Sequence, residues 1–227
     1  MSRYAYDWIL FDLDETLFDF PGHEALLAML TQVGLEPHAT VLAEYKQTNH
    51  TLWERFNAGQ IDAHHLQHER FVGIGQLTGH HPLELNRLYL EAIIALSRPL
   101  DGVMETLGRL RGRIGMGIIT NGFSLPQRGR LQRHQLDTWF NPVLVSDEVG
   151  LSKPHGGIFE LALSQLPVSE PRRVLMVGDN PLADIAGAAE AGLSTCWYDP
   201  GFSDTVCHPT HHIHHISQLL DVIGIDE

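Results

Sequence analysis

The chain has 227 residues, 43% of them hydrophobic, which suffices for a buried core and for one domain with a large insertion or two small domains. Acidic residues outnumber basic ones 28 to 15, giving a net charge of −13, so the basic stripe that a nucleic-acid polymer demands is absent, while a single nucleotide stays compatible. There is no run of about 18 apolar residues to span a membrane, and MSRYAYDWILFDLDE turns acidic too early for a signal peptide; a soluble, cytoplasmic protein is expected.

In chain order, the first element is a strand at WILFD (8–12), an apolar run that ends on Asp12 and Asp14. If the backbone stays extended, the two carboxylates leave on one side, where like charges need a cation; the bland alternative is an Asp that caps the next helix. From about residue 20 to 98 no strand signal occurs. Four amphipathic patterns, HEALLAMLTQVG, ATVLAEYKQTNHTLWERFNAG, DAHHLQHERFVGIGQLTG and PLELNRLYLEAIIALS, predict an inserted helical bundle acting as a lid. Hinges are expected at DFPG (19–22) and RPLDG (98–102), which divides the chain into an α/β core of 1–19 with 99–227 and a cap of 20–98. Within the cap, Asn49, Trp53 and Phe56, with Phe18 on the hinge side, are candidates for reading an aromatic ligand. Trp53 and Phe56, three apart on one helix face, read more simply as cap core.

The remainder alternates helix and strand: a helix at 103–112, a strand at GMGIIT (115–120), a helix at 125–136, a strand at VLVS (143–146) and a helix at 156–166. A strand at VLMVGD (174–179), a helix at PLADIAGAAEAG (181–192) closed by Gly192, and a strand at TCWYD (195–199) follow, with a short strand near Ile213 and a final helix from Ser217. This predicts a doubly wound, Rossmann-like parallel sheet. Chemistry-bearing residues stand at the strand ends: TNG (120–122), a hydroxyl, an amide and a turn able to face an anion; Lys153, held extended by Pro154; and VGDNPLAD, with Asp179 and, one turn later, Asp184. Lys46 and Lys153 are the only lysines, so a compact ammonium at 153 points to an anion. Carboxylates from two strand ends suit Mg2+, which favours one or two carboxylates plus a substrate phosphate, although Asp179 can also serve as a helix N-cap.

Cys196 and Cys207 form no CxxC pair, so neither a disulfide framework nor a thiolate zinc site is expected. Histidines cluster at 64–68, 80–81 and 208–215; with no closed coordination shell evident and no acidic residue in the tail cluster, they read as solvated surface and an edge strand.

Together DLDET, TNG, Lys153 and GDNPLAD resemble the four motifs of the haloacid dehalogenase superfamily, over essentially the whole chain and including an inserted helical cap. The resemblance implies that Asp12 is a nucleophile and Asp14 a general acid/base. It implies that Thr120, Asn121 and Lys153 hold a phosphoryl group, with Thr16 steadying the first loop. It also implies Mg2+ on Asp12, the Asp14 carbonyl and Asp179, with Asp184 in support. Asp14 favours phosphate esters, because a halide leaving group needs no proton. Several strings, among them VSDEVGLSKPHGGIFE and RVLMVGDNPLADIAGAAEAGLSTCWY, are similar to the bacterial pyrimidine 5′-nucleotidases, which implies nucleoside monophosphates such as dUMP, dTMP and UMP as substrates. A sugar phosphomutase or sugar-phosphate phosphatase of the same superfamily, and a non-enzymatic phospho-receiver module, stay open as alternatives.

Overall fold

The computed structural model describes residues 4–225. Its sheet comprises β1 (Trp8–Phe11), β2 (Gly115–Thr120), β3 (Val143–Val145), β4 (Val174–Gly178), β5 (Ser194–Tyr198) and β6 (His211–Ile213), all paired in parallel in the order β3-β2-β1-β4-β5-β6. The expected doubly wound α/β class is thus the observed one. Period-two alternation explains why both faces are covered. Ile9, Phe11, Leu175 and Val177 enter one core cluster, and Leu10, Val174 and Met176 the other. Each of these side chains is fully buried and contributes about 2 kcal/mol of hydrophobic stabilisation. Burial on both faces leaves the strand ends as the place for charge, and β1 stops at Phe11, directly before Asp12.

The chain forms two compact units, one made of the residues up to Phe20 and from Arg98 onward, the other of Pro21–Ser97. In the second, α1 (Gly22–Gln32), α2 (Ala39–Asn57), α3 (Ala63–Glu69), α4 (Val72–Thr78) and α5 (Pro82–Leu96) are all helical, with α1 and α3 packed on α5. The third expected helix is therefore two. The break falls at Arg70–Phe71, where Phe71 departs from helical geometry (φ −114°, ψ 4°) and is fully buried. Arg70 is buried too, its guanidinium held by Asn86 Oδ1 through Nε (2.9 Å) and Nη2. Satisfying one buried cation and one buried ring requires a turn that a continuous helix does not supply.

In the first unit, α6 (Val103–Leu110), α7 (Ser124–Arg133), α8 (Ser146–Val149) and α9 (Gly156–Ser164) follow, and after β4 a π-helical turn, Pro181–Ala186, leads into α10 (Gly187–Glu190). The single α-helix expected over 181–192 is widened because the Asn180 carbonyl accepts from both Asp184 N–H (3.0 Å) and Ile185 N–H (3.3 Å). A short 3-10 turn and α11 (Leu219–Ile223) close the described chain.

Three expectations are corrected here. Trp53 and Phe56 are not core: α2 buries Tyr45 and Leu52, while the two rings stay half-buried, edge to face at 5.5 Å. Phe18 is fully buried, beside the His134 ring (5.2 Å) and under the Arg130 guanidinium (5.7 Å), so it is core and not a ligand platform. An acidic residue does join the tail histidines: Asp199, at the end of β5, lies with His212 and His214.

Candidate active site

The C-terminal ends of β1, β2 and β4, with the loop after β3, bring together all eight residues singled out at the strand ends. Lys153 is the centre. Its Nζ, almost wholly buried, donates to Asp12 Oδ1 (2.5 Å) and Asp184 Oδ1 (2.6 Å). Burial by itself disfavours the ammonium, but the Asp12 and Asp184 carboxylates outweigh it and hold Lys153 above its ordinary value, so it is charged. The ammonium sits there because Asn121 ties down its backbone, donating from Nδ2 to the Lys153 carbonyl (2.8 Å) and accepting the Lys153 N–H at Oδ1 (2.9 Å). The side chain of Asn121 is thus spent on placing Lys153.

Asp12, Asp179 and Asp184 each offer a carboxylate oxygen, all within 4.8 Å of one another. Asp12 is pushed well above the usual carboxylate range by burial, with Lys153 pulling against it and Asp184 and Asp14 adding to it. Asp179 is raised to about 6, by burial first and the Asp184 charge second. Thr16, fully buried, clamps Asp179 by accepting its N–H at Oγ1 (3.0 Å) and donating to Oδ1 (3.3 Å). Gly178 is obligatory: an added Cβ would stand 2.2 Å from Asp184 Oδ2. The π turn and this glycine let Asp184 fold back beside β4, where its Oδ2 accepts the Asn180 N–H (3.0 Å).

Arg130 and Gln127 belong to the site although the sequence reading passed over them. Arg130, fully buried on α7, forms an ion pair with Asp14 (Nη2–Oδ1, 2.5 Å) and donates to Gln127 Oε1. Gln127 Nε2 in turn donates to Asp14 Oδ2 (3.1 Å) and Thr120 Oγ1 (2.7 Å). Asp14 and Thr120 are thereby held by one network. The available signal was periodicity: residues 127, 130 and 131 face inward on α7, and there a glutamine and an arginine replace apolar residues. Trp197 was likewise missed; its Nε1 donates to the Asp179 carbonyl (2.9 Å).

Four carboxylates (Asp12, Asp14, Asp179 and Asp184) thus meet two cations (Lys153 and Arg130), which leaves two negative charges. Burial is the main reason that Asp12 and Asp179 are raised, and the neighbouring carboxylates add to it. An all-oxygen donor set of this charge fits a hard divalent cation that retains water and accepts a phosphate oxygen. A buried carboxylate, a second carboxylate on a buried arginine, a buried ammonium and a hydroxyl at adjacent strand ends are groups of the kinds that an in-line displacement at phosphorus can use.

A family model described as haloacid dehalogenase-like hydrolase matches residues 6–192. The chain is 40% identical over 192 residues to the pyrimidine 5′-nucleotidase YjjG of Escherichia coli, covering 85% of each protein. It is 30% identical to the pyrimidine 5′-nucleotidase PynA of Streptococcus pneumoniae over 96% of this chain and 95% of that one. Among solved structures, the putative HAD-hydrolase YfnB of Bacillus subtilis, bound to magnesium, superposes with a TM-score of 0.82 at 28% identity, covering 97% of this chain and 99% of its own.

Proposed function

This chain belongs to the haloacid dehalogenase-like hydrolase family, and from that premise we propose that it is a Mg2+-dependent phosphatase acting on pyrimidine nucleoside 5′-monophosphates through an aspartyl-phosphate. The observation that carries the reading is Lys153, buried and shared between Asp12 and Asp184 beside a third carboxylate, a constellation that stabilises a bound phosphoryl group and is costly without one.

Asp12 attacks phosphorus in line, forming a carboxylate oxygen–phosphorus bond (an acyl phosphate) as the bond to the nucleoside oxygen breaks. Asp14, which Arg130 and Gln127 position as a carboxylate in the free site, has to carry a proton into this step and delivers it to that departing oxygen. It then takes a proton from a water whose oxygen attacks the aspartyl-phosphate, releasing inorganic phosphate and restoring Asp12. Lys153 and Thr120 offset and bind the equatorial oxygens, and Thr16 keeps Asp179 aligned. Asp12 and Asp179, with the Asp14 carbonyl contributing and Asp184 in support, would hold Mg2+, which would supply charge neutralisation between nucleophile and phosphate.

The unit Pro21–Ser97 is proposed as the cap that selects the substrate. One face of α2 carries Asn49, Trp53 and Phe56 at positions i, i+4 and i+7, and Asn49 Oδ1 is buried with no hydrogen-bond partner among the described residues. An acceptor beside two aromatic rings suits the N3–H of uracil or thymine. The test is phosphate release from a panel of nucleoside monophosphates and sugar phosphates, with and without EDTA. The highest kcat/KM is expected for dUMP, dTMP or UMP, with activity lost in EDTA and restored by Mg2+. Preference for a hexose phosphate would refute the substrate assignment.

A further inference from the structure

The tail histidines have no part in that chemistry, and the sheet gives them another. β5 and β6 are parallel, with Trp197 opposite His212 and Tyr198 opposite Ile213. Alternation then puts Trp197 and Asp199 on one face and sets His212 and His214 beside them. The contacts follow: His212 stacks on Trp197 (4.5 Å, 12°), His214 stacks on Phe202 (4.0 Å), and His212 Nε2 lies 3.5 Å from Asp199 Oδ2. One ligand atom from each of Asp199, His212 and His214 lies within 4.8 Å of the others.

We propose that Asp199, His212 and His214 form a binding site for a divalent transition-metal ion of the Zn2+ type, separate from the carboxylate cluster around Lys153. Two imidazoles and one carboxylate are a borderline nitrogen-rich donor set, which selects Zn2+ and its neighbours over Mg2+. The supporting contacts are those of a metal site. His214 Nδ1 bonds the Asp199 carbonyl (2.7 Å), which fixes the ring and directs Nε2 outward as a ligand. Asp199, itself buried, is oriented by the Ser203 N–H on Oδ2 (2.7 Å). His212 is exposed, so further coordination positions open to water. Neighbouring histidines are otherwise engaged: His211 bonds the Tyr6 hydroxyl (2.6 Å) and His215 caps the 3-10 turn at Ile216–Gln218. Trp197 spans the two regions, stacked on His212 and bonded to the Asp179 carbonyl.

The test is Zn2+ binding to the intact protein by calorimetry in excess Mg2+, which saturates the carboxylate cluster and competes poorly for imidazole. One tight equivalent is expected. The variants are His212→Phe and His214→Phe, which keep the aromatic stacks, and Asp199→Asn, which keeps an acceptor for Ser203. Each should weaken that equivalent by more than about tenfold at unchanged melting temperature, while His64→Gln with His65→Gln leaves it intact. Unaltered stoichiometry and affinity in the His212→Phe/His214→Phe double variant, or loss of the equivalent with the His64/His65 pair instead, would overturn the proposal.

Discussion

The raised carboxyl of Asp179 yields the most direct test of what it costs to bury charge in this cluster. Its folded value is about 6, against 3.8 for the ordinary side chain. At about 1.4 kcal/mol per pKa unit, the ionised group costs the metal-free fold about 3 kcal/mol. The folded state holds this proton more tightly than the unfolded chain does. The penalty is therefore complete above pH about 6, shrinks as pH falls from about 6 to about 4, and is gone below both values. Asp12, displaced in the same direction, adds to it. Asp179→Asn removes the charge while its amide oxygen still accepts from Thr16 Oγ1. In EDTA at pH 8 the variant should melt about 6–12 °C above the wild type, since each kcal/mol shifts Tm by about 2–4 °C in a chain of this size. At pH 4.5 most of the difference should vanish, and in Mg2+ at pH 8 the wild type should recover it whereas the variant should gain little. Differential scanning calorimetry with EDTA or Mg2+ reads all three arms. A variant no more stable than wild type in EDTA at pH 8 would refute the reasoning.

Other perturbations separate the roles within the site. Asp12→Asn should abolish phosphate release, and Asp14→Asn should reduce kcat by orders of magnitude while leaving the binding of a nucleoside monophosphate nearly unchanged, measured by steady-state kinetics and calorimetry. Arg130→Met leaves Asp14 and Gln127 without their buried partner and should cost about 3 kcal/mol in a denaturant titration, along with turnover. Gly178→Ala forces Asp184 away from β4 and from Lys153, so turnover should fall by a larger factor than stability predicts. Trp53→Ala should raise KM for dUMP and leave hydrolysis of p-nitrophenyl phosphate unaltered.

Most of the fold was legible because strand and helix signals are local. Apolar runs of four to six residues, each bounded by a polar or glycine residue, mark β1 to β5 to within a residue or two. The same locality exposed the strand-end residues, since a carboxylate or a lone lysine directly after a buried run stands out in one dimension. Locality also set the misreadings. The split between α3 and α4 depends on Asn86, sixteen residues beyond Arg70, and the π turn depends on a backbone carbonyl taking two donors. Trp53 and Phe56 looked like core because helical spacing reports a shared face without saying what that face meets.

The sequence by itself determined which side chains stand at the ends of the strands, because alternation and chain direction are properties of the strand alone. Tertiary structure decided how they are paired. Lys153 reaches Asp12 across 141 residues and Asp184 across 31. Arg130 arrives at Asp14 from a helix on another crossover, and Asp199 meets His212 and His214 only through the parallel register of β5 and β6. A charge in a buried site is stabilised by whatever lies within a few ångströms of it, and in a parallel sheet those neighbours come from strands that the crossovers separate widely in sequence.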